Sequence, residues 1–199
     1  MGVSVLKGLP EPLRQQAARL YWIAFGEKLG RVLGPDQKAL AFFVRVIRAD
    51  HCVVAVDAAG ALLGLGGFKS PEASFAGGSW ADLKAIYGNW GGLWRGWVLW
   101  ALNREVDNDR FLLDGICVAP SARGQGVGTA LLAALYQEAR LRGYQSVRLD
   151  VVDTNQRARA LYEREGFIAT RTDQLGPLKY IFGFASSTTM VRPLLPTPG

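Results

Sequence analysis

Apolar residues recur along this 199-residue chain at two spacings, and those spacings divide it into elements. Short apolar or alternating runs mark strands, and a three-to-four-residue repeat marks helices. Residues 3–6 read as a short strand. Pro10 and Pro12 then punctuate the entry to a helix over about 13–25, with Ala17, Leu20, Tyr21 and Ala24 on one face. Gly26, Gly30 and Gly34-Pro35 break that pattern. Asp36 is placed to cap a second helix reaching about Arg48, whose apolar stripe is Ala39, Leu40, Phe43, Val44 and Ile47. Two strands, 52–56 and 61–68, flank the turn Asp57-Ala58-Ala59-Gly60. The second half alternates: a strand over 111–118, a helix over 126–141 closed by Gly143, and a buried strand over 147–152. A helix capped by Asp153 or Thr154 and ended by Gly166 follows. Residues 167–170 and 188–191 read as closing strands, with 180–184 extending one of them. The tail 193–199 carries three prolines and is expected to fray.

Residues 70–109 fit neither period well. They hold all but one of the six tryptophans, and the spacing predicts helices near 80–87 and 93–103. Core packing of an inserted helical pair is the preferred reading of those tryptophans. An acceptor pocket lined by ring faces, or attachment to a membrane or partner surface, stays open beside it. No repeat or linker appears, so a single α/β domain over 1–199 is expected, with a mixed sheet covered by helices on both faces.

Composition narrows the classes. Hydrophobic residues make up 49% and charged residues 20%, as in a folded globular domain. Cys52 and Cys117 sit in apolar runs and read as buried reduced thiols, and one histidine, His51, cannot build a histidine-rich metal site; no metal is expected. The net charge of +6 suits an acidic ligand, but it is not gathered into a Lys/Arg run of the kind that binds nucleic acid. The longest apolar stretch, 90–102, is short and contains Arg95, so no membrane span is expected. The first residues do not form a secretory signal, and a cytoplasmic location is the simplest expectation.

The chemistry concentrates in Val118-Ala119-Pro120-Ser121-Ala122-Arg123-Gly124-Gln125-Gly126-Val127-Gly128-Thr129. Here a strand runs into a glycine-rich loop that opens a helix. The first N–H groups of a helix lack intrahelical partners and carry about half a positive charge, so a diphosphate fits where side chains do not block it. Gly124, Gly126 and Gly128 remove side chains, and Arg123 adds a cation with a planar donor fork. A Walker loop would need Lys-Ser/Thr after its last glycine, and Gly128 is followed by Thr129-Ala130. A dinucleotide loop would need a third glycine one position later, with an acidic residue that Asp150 only partly supplies.

Arg123-x-x-Gly126-x-Gly128, preceded by Val118-x-Pro120, resembles the acetyl-CoA pyrophosphate signature of the GNAT acetyltransferases. Asn155-x-x-Ala158-x-x-Leu161-Tyr162-x-x-x-Gly166-Phe167 resembles that family's second signature, and Thr189-Met190-Val191-Arg192-Pro193-Leu194 its last strand. The similarity covers 111–170 and the end of the chain, is loose over 1–69, and is absent over 70–109, a divergent insertion. It implies a mostly antiparallel twisted sheet of about seven strands and acetyl-CoA as co-substrate. The acyl group would go to an amine of a small molecule or peptide, and a homodimer stays open. It also implies that the main chain of Ile116, Cys117 and Val118 pairs with the pantetheine arm, that the loop 123–129 with Asn155 holds the rest, and that Tyr162 is the general acid.

Helical spacing puts Asn155, Ala158, Tyr162 and Glu165 on one face. Tyr162 could equally be a core aromatic, and Asn155 a helix start. The base is not readable. Asp114 is the first candidate, because strand alternation sets it with Ile116 and Val118; a polar strand residue paired with an arginine is as good a reading of it. Asp150 is weaker, and water could relay the proton. A non-catalytic acyl-CoA-binding module is the alternative from another class, and a longer acyl chain is a third reading.

Overall fold

The computed structural model describes residues 2–102 and 109–194. Its strands are β1 (Ser4–Lys7), β2 (Cys52–Val56), β3 (Leu62–Lys69), β4 (Phe111–Val118), β5 (Ser146–Val152), β6 (Ile168–Gln174) and β7 (Ser186–Pro193). Its helices are α1 (Arg14–Leu33), α2 (Asp36–Val46), α3 (Trp80–Leu102), α4 (Val127–Leu141), α5 (Gln156–Arg164) and α6 (Lys179–Phe182). The strands form one sheet in the order β1-β2-β3-β4-β5-β7-β6. Every neighbouring pair is antiparallel except β4 with β5. The expected mixed α/β fold with a mostly antiparallel seven-stranded sheet is therefore present.

Burial explains the continuous apolar run of β2. Cys52, Val54 and Val56 join the core beneath α1 and α2, while Val53 and Ala55 join the core beneath α4. A strand covered on both faces has no solvent side to alternate with. On the second face Leu131, Leu132, Leu135 and Ala139 of α4 are wholly buried, each leucine contributing about 1.5–3 kcal/mol. Gly143 ends α4 as expected. Its φ is +82°, its N–H donates to Arg140 O, and the next N–H, of Tyr144, donates to Ala139 O. Gly166 closes α5 by the same pair of bonds, to Glu163 O and from Phe167 to Tyr162 O.

Several expectations need correction. Helix α1 does not stop near Phe25 but runs through Gly26 and Gly30 to Leu33. Two helical glycines cost roughly 1 kcal/mol each, and long-range contacts outweigh them. Val32 and Leu33 are buried, and the helix's final carbonyls are satisfied from α3: Arg95 Nε donates to Val32 O (2.6 Å) and the Tyr87 hydroxyl donates to Leu33 O. Ala24, set with the buried stripe, is exposed. Asp36 is the first residue of α2 rather than its cap, and its carboxylate accepts from Trp22 Nε1 (3.1 Å). In α2 the buried positions are Ala39, Phe42, Phe43 and Val46; Leu40 and Val44 are only half-buried. The cap of α5 is Asn155, not Asp153 or Thr154. The segment expected to extend a strand over 180–184 instead contains the short helix α6.

The tryptophan-rich segment departs furthest from expectation. It is two helical stretches joined at Gly88, whose φ of +75° interrupts the helix. Ser79 and Asp82 start it reciprocally: Ser79 Oγ accepts from Asp82 N–H (3.2 Å), and the Asp82 carboxylate accepts from Ser79 N–H (3.0 Å). The second stretch folds back on the first so closely that a Cβ at Gly96 would lie 2.4 Å from the Trp80 ring. The reading of these tryptophans as core fails, because Trp90, Trp94, Trp97 and Trp100 are 45–82% exposed. The buried residues of the first stretch are Leu83 and Tyr87. The expected helix end at Asn103 and the expected fraying of the tail from residue 195 onward lie outside the described residues.

Candidate functional site

Strands β4 and β5 pair only at their starts, Phe111 with Val147 and Leu112 with Arg148. Beyond that they separate, and among the described residues the second half of β4 is paired only with β3. Its other backbone edge faces a cleft. Across from it, β4 runs through the turn Pro120–Ala122 into a loop and then α4, whose N-cap is Gly126. Gly124 and Gly126 have φ of +80° and +79°, a conformation that side chains other than glycine's rarely adopt, and a Cβ at either would meet nothing within 4 Å. The loop thus turns back while leaving the first N–H groups of α4 uncovered.

The resulting cleft, about 490 Å³, is lined by Ile116, Cys117 and Val118 of β4, by Arg123, Gly124 and 126–129 of the loop and α4, and by Asn155, Ala158, Leu161 and Tyr162 of α5. Ala24 and Phe25 of α1 close one end. All but one of the expected cofactor residues meet there. The exception is Gln125, whose side chain turns away to donate to Ser121 O (2.8 Å). Gly128 has a second role. A Cβ there would stand 3.0 Å from Leu161 Cδ2, so its lack of a side chain lets α4 and α5 approach. Asn155 both lines the cleft and caps α5, its Oδ1 accepting from Ala158 N–H (3.1 Å). Glu165, expected on that face, does not reach the cleft.

Sequence reasoning missed Arg157 and Arg164, exposed arginines that line the cleft with Arg123. Their seven-residue separation, two turns on one side of α5, was the available signal. A diphosphate-bearing ligand fits this donor set: uncovered amides at a helix start, two open glycines and three guanidinium groups.

Tyr162 is 8% exposed and packs edge-to-face on Phe167 with centroids 5.7 Å apart. Burial pushes its hydroxyl pKa well up, with smaller contributions from Cys117 and Tyr136. The hydroxyl therefore keeps its proton throughout the neutral range. Burial likewise pushes the Cys117 thiol up, which makes it inert as a nucleophile. Both cysteines are free and buried, as expected.

The candidate base needs a geometric correction. Gly67 of β3 pairs with Gly115, and Phe68 pairs with Leu113, so Asp114 is an extra residue in β4. This bulge breaks the alternation. Ile116 and Val118 pack toward the α4 core, whereas Asp114 lines a second cavity on the α1 side. Its carboxylate accepts from Ser74 Oγ and Ala76 N–H, both at 3.3 Å, with Lys69 Nζ 3.8 Å away. No arginine is among these partners. Asp150 lines neither cavity; it accepts from Thr189 Oγ1 (2.5 Å) and pairs with Arg148.

The second cavity, about 400 Å³, is walled by aromatic rings from α1, α2, α3 and the segment around α6. Phe25 borders both cavities, and its ring lies over Gly115, where a Cβ would come within 2.6 Å of Cζ. The two spaces are therefore neighbours on either side of Phe25 at the middle of β4.

Comparisons with known proteins agree with this geometry. The model of the acetyltransferase (GNAT) family matches residues 15–167. A curated relative, GCN5-related N-acetyltransferase 6, chloroplastic, of Arabidopsis thaliana, is 33% identical over 78 residues. That alignment covers 39% of this chain and 27% of the relative, so only about a quarter of the plant protein is represented. Among solved structures, a protein from Corynebacterium glutamicum described as histone acetyltransferase HPA2 and related acetyltransferase superposes with a TM-score of 0.69 at 23% identity. That superposition covers 100% of both chains. Nourseothricin acetyltransferase superposes with a TM-score of 0.50 at 26% identity, over 72% of this chain and 64% of its own.

Proposed function

Since the chain belongs to the GNAT family of acetyltransferases, we propose that it moves the acetyl group of acetyl-CoA to a primary amine of a small molecule or peptide. The observation that carries this reading is that two cavities share Phe25 as a wall. One holds the uncovered helix start, the open strand edge and a buried protonated tyrosine; the other holds the Asp114 carboxylate among aromatic rings.

In this reading the loop 123–129 and the three arginines hold the diphosphate, and the backbone of Ile116, Cys117 and Val118 pairs with the pantetheine arm as an added strand. The acceptor enters from the Asp114 side. An alkyl ammonium titrates near about 10.4, so it must lose a proton before it can attack. Asp114 takes that proton, directly or through water. The neutral nitrogen then bonds to the thioester carbonyl carbon while the edge amides of β4 stabilise the charge gathering on oxygen. The C–S bond breaks, and Tyr162 gives its proton to the departing sulfur, whose thiol has a pKa near about 8.5 like that of cysteine. The proton that the nitrogen sheds in becoming an amide returns to the tyrosinate through water. Such positioned proton transfer accelerates a reaction by roughly 10²–10⁴.

The test is thiol release from acetyl-CoA in the presence of a panel of primary amines, with the acetylated product identified by mass. Amine-dependent release is expected. Tight calorimetric binding of acetyl-CoA with no release on any amine would replace this reading with that of a non-catalytic binding module.

A further inference from the structure

The second cavity carries more information than the presence of an acceptor site. Its walls include Tyr21, Phe25, Phe43, Trp80, Trp100 and Phe184, and its volume of about 400 Å³ falls within the roughly 300–1,000 Å³ of small-molecule sites. Two side chains of opposite charge break this apolar lining, Asp114 and Lys28. Asp114 is held by Ser74, Ala76 and Lys69, with 14% of its side chain exposed.

Lys28 is different. Its Nζ lies 5.4 Å from the Phe25 ring centroid and 5.9 Å from that of Phe184, and among the described residues no carboxylate stands within ion-pairing distance of it. Ring faces offer a cation only part of what water or an anion gives. Burial accordingly lowers the Lys28 pKa. A half-buried ammonium without an anion is a site short of one negative charge. Lys28 and Asp114 line the same cavity, together with Phe25, whose ring lies over Gly115 in the middle of β4.

From this arrangement we infer that the acceptor is a zwitterion, an α-amino acid with a large apolar or aromatic side chain. Its amino group faces Asp114, its carboxylate pairs with Lys28, and its side chain occupies the ring-lined cavity. The inference rests on the transferase reading above and makes it specific. A polyamine is disfavoured, because its second cation would meet Lys28 in a low-dielectric space. A peptide N-terminus is disfavoured too, because the α-carboxyl of its first residue is tied up in a peptide bond and carries no charge.

The experiment compares kcat/KM for thiol release with L-phenylalanine, with phenethylamine, which lacks only the carboxylate, and with spermidine. Phenylalanine should exceed phenethylamine by about tenfold or more, the scale of one hydrogen bond between charged groups, and spermidine should be poorest. Lys28→Met should bring the phenylalanine-to-phenethylamine ratio toward one, through KM rather than kcat, and Lys28→Arg should restore it. Preference for phenethylamine or spermidine, or a ratio that Lys28→Met leaves unchanged, overturns this inference while leaving the transferase reading intact. Release with none of these three amines overturns this inference, and the transferase reading falls with it only when the wider panel of primary amines also gives no release.

Discussion

Tyr162 is where local chemistry matters most. Its hydroxyl is buried, and its pKa is raised by that burial, so it remains a proton donor at any pH at which the fold is ordinarily studied. Tyr162→Phe removes the donor and little else, since the ring still packs on Phe167. Turnover should fall about tenfold or more while acetyl-CoA affinity by calorimetry stays within about twofold. In the wild-type enzyme, titration of this hydroxyl should cause no loss of turnover as pH rises from 6 to about 10. Gly126 offers a cleaner separation of backbone from charge. Open space surrounds it, but its φ is +79°. Gly126→Ala should therefore cost about 1–2 kcal/mol of stability from strain alone and keep most cofactor binding. Gly126→Glu should abolish calorimetric binding, because its carboxylate projects at the diphosphate position. Equal binding by the Ala and Glu variants would contradict the loop assignment.

At the scale of elements, α3 depends on its start. Asp82 accepts from Ser79 and pairs with Arg45 at 2.6 Å. The Ser79 hydrogen bonds, then the Arg45 guanidinium, lower its pKa from 3.8 to about 2. A carboxyl whose pKa falls on folding binds fewer protons in the folded state. The stability it adds is therefore present above about pH 3.8 and is lost as pH falls toward 2. Asp82→Asn should destabilise the protein by about 1 kcal/mol in urea unfolding at neutral pH. It should also flatten the pH dependence of stability between those two values. The Ser-x-x-Asp spacing that builds this start stands in the sequence at 79–82 and could have been read there. The continuation of α1 to Leu33 could not. Its glycines argue locally for a stop, and the contacts that overrule them come from Tyr87 and Arg95, more than fifty residues away.

For the whole molecule, three exposed arginines around one cleft in a chain of net charge +6 make cofactor affinity sensitive to salt. The Debye length falls from roughly 10 Å at 0.1 M to about 3 Å at 1 M. Coenzyme A binding measured by calorimetry should weaken several-fold over that range, whereas acetyl-pantetheine, which lacks the diphosphate, should bind with little salt dependence. Equal salt slopes would place the diphosphate away from Arg123, Arg157 and Arg164. The glycine-rich loop, the helix that follows it, the Asn155–Tyr162 face and most strands were legible in the sequence. They rest on glycine conformation, apolar period and orphan amides, which act between residues a few positions apart. The bulge that swings Asp114 to the other side of β4, the parting of β4 from β5, the exposure of the α3 tryptophans and the gathering of Lys28 and Asp114 around one cavity were decided only by the tertiary structure. Each results from packing between distant segments, and those contacts outweigh the differences of about 1 kcal/mol that local propensity can register.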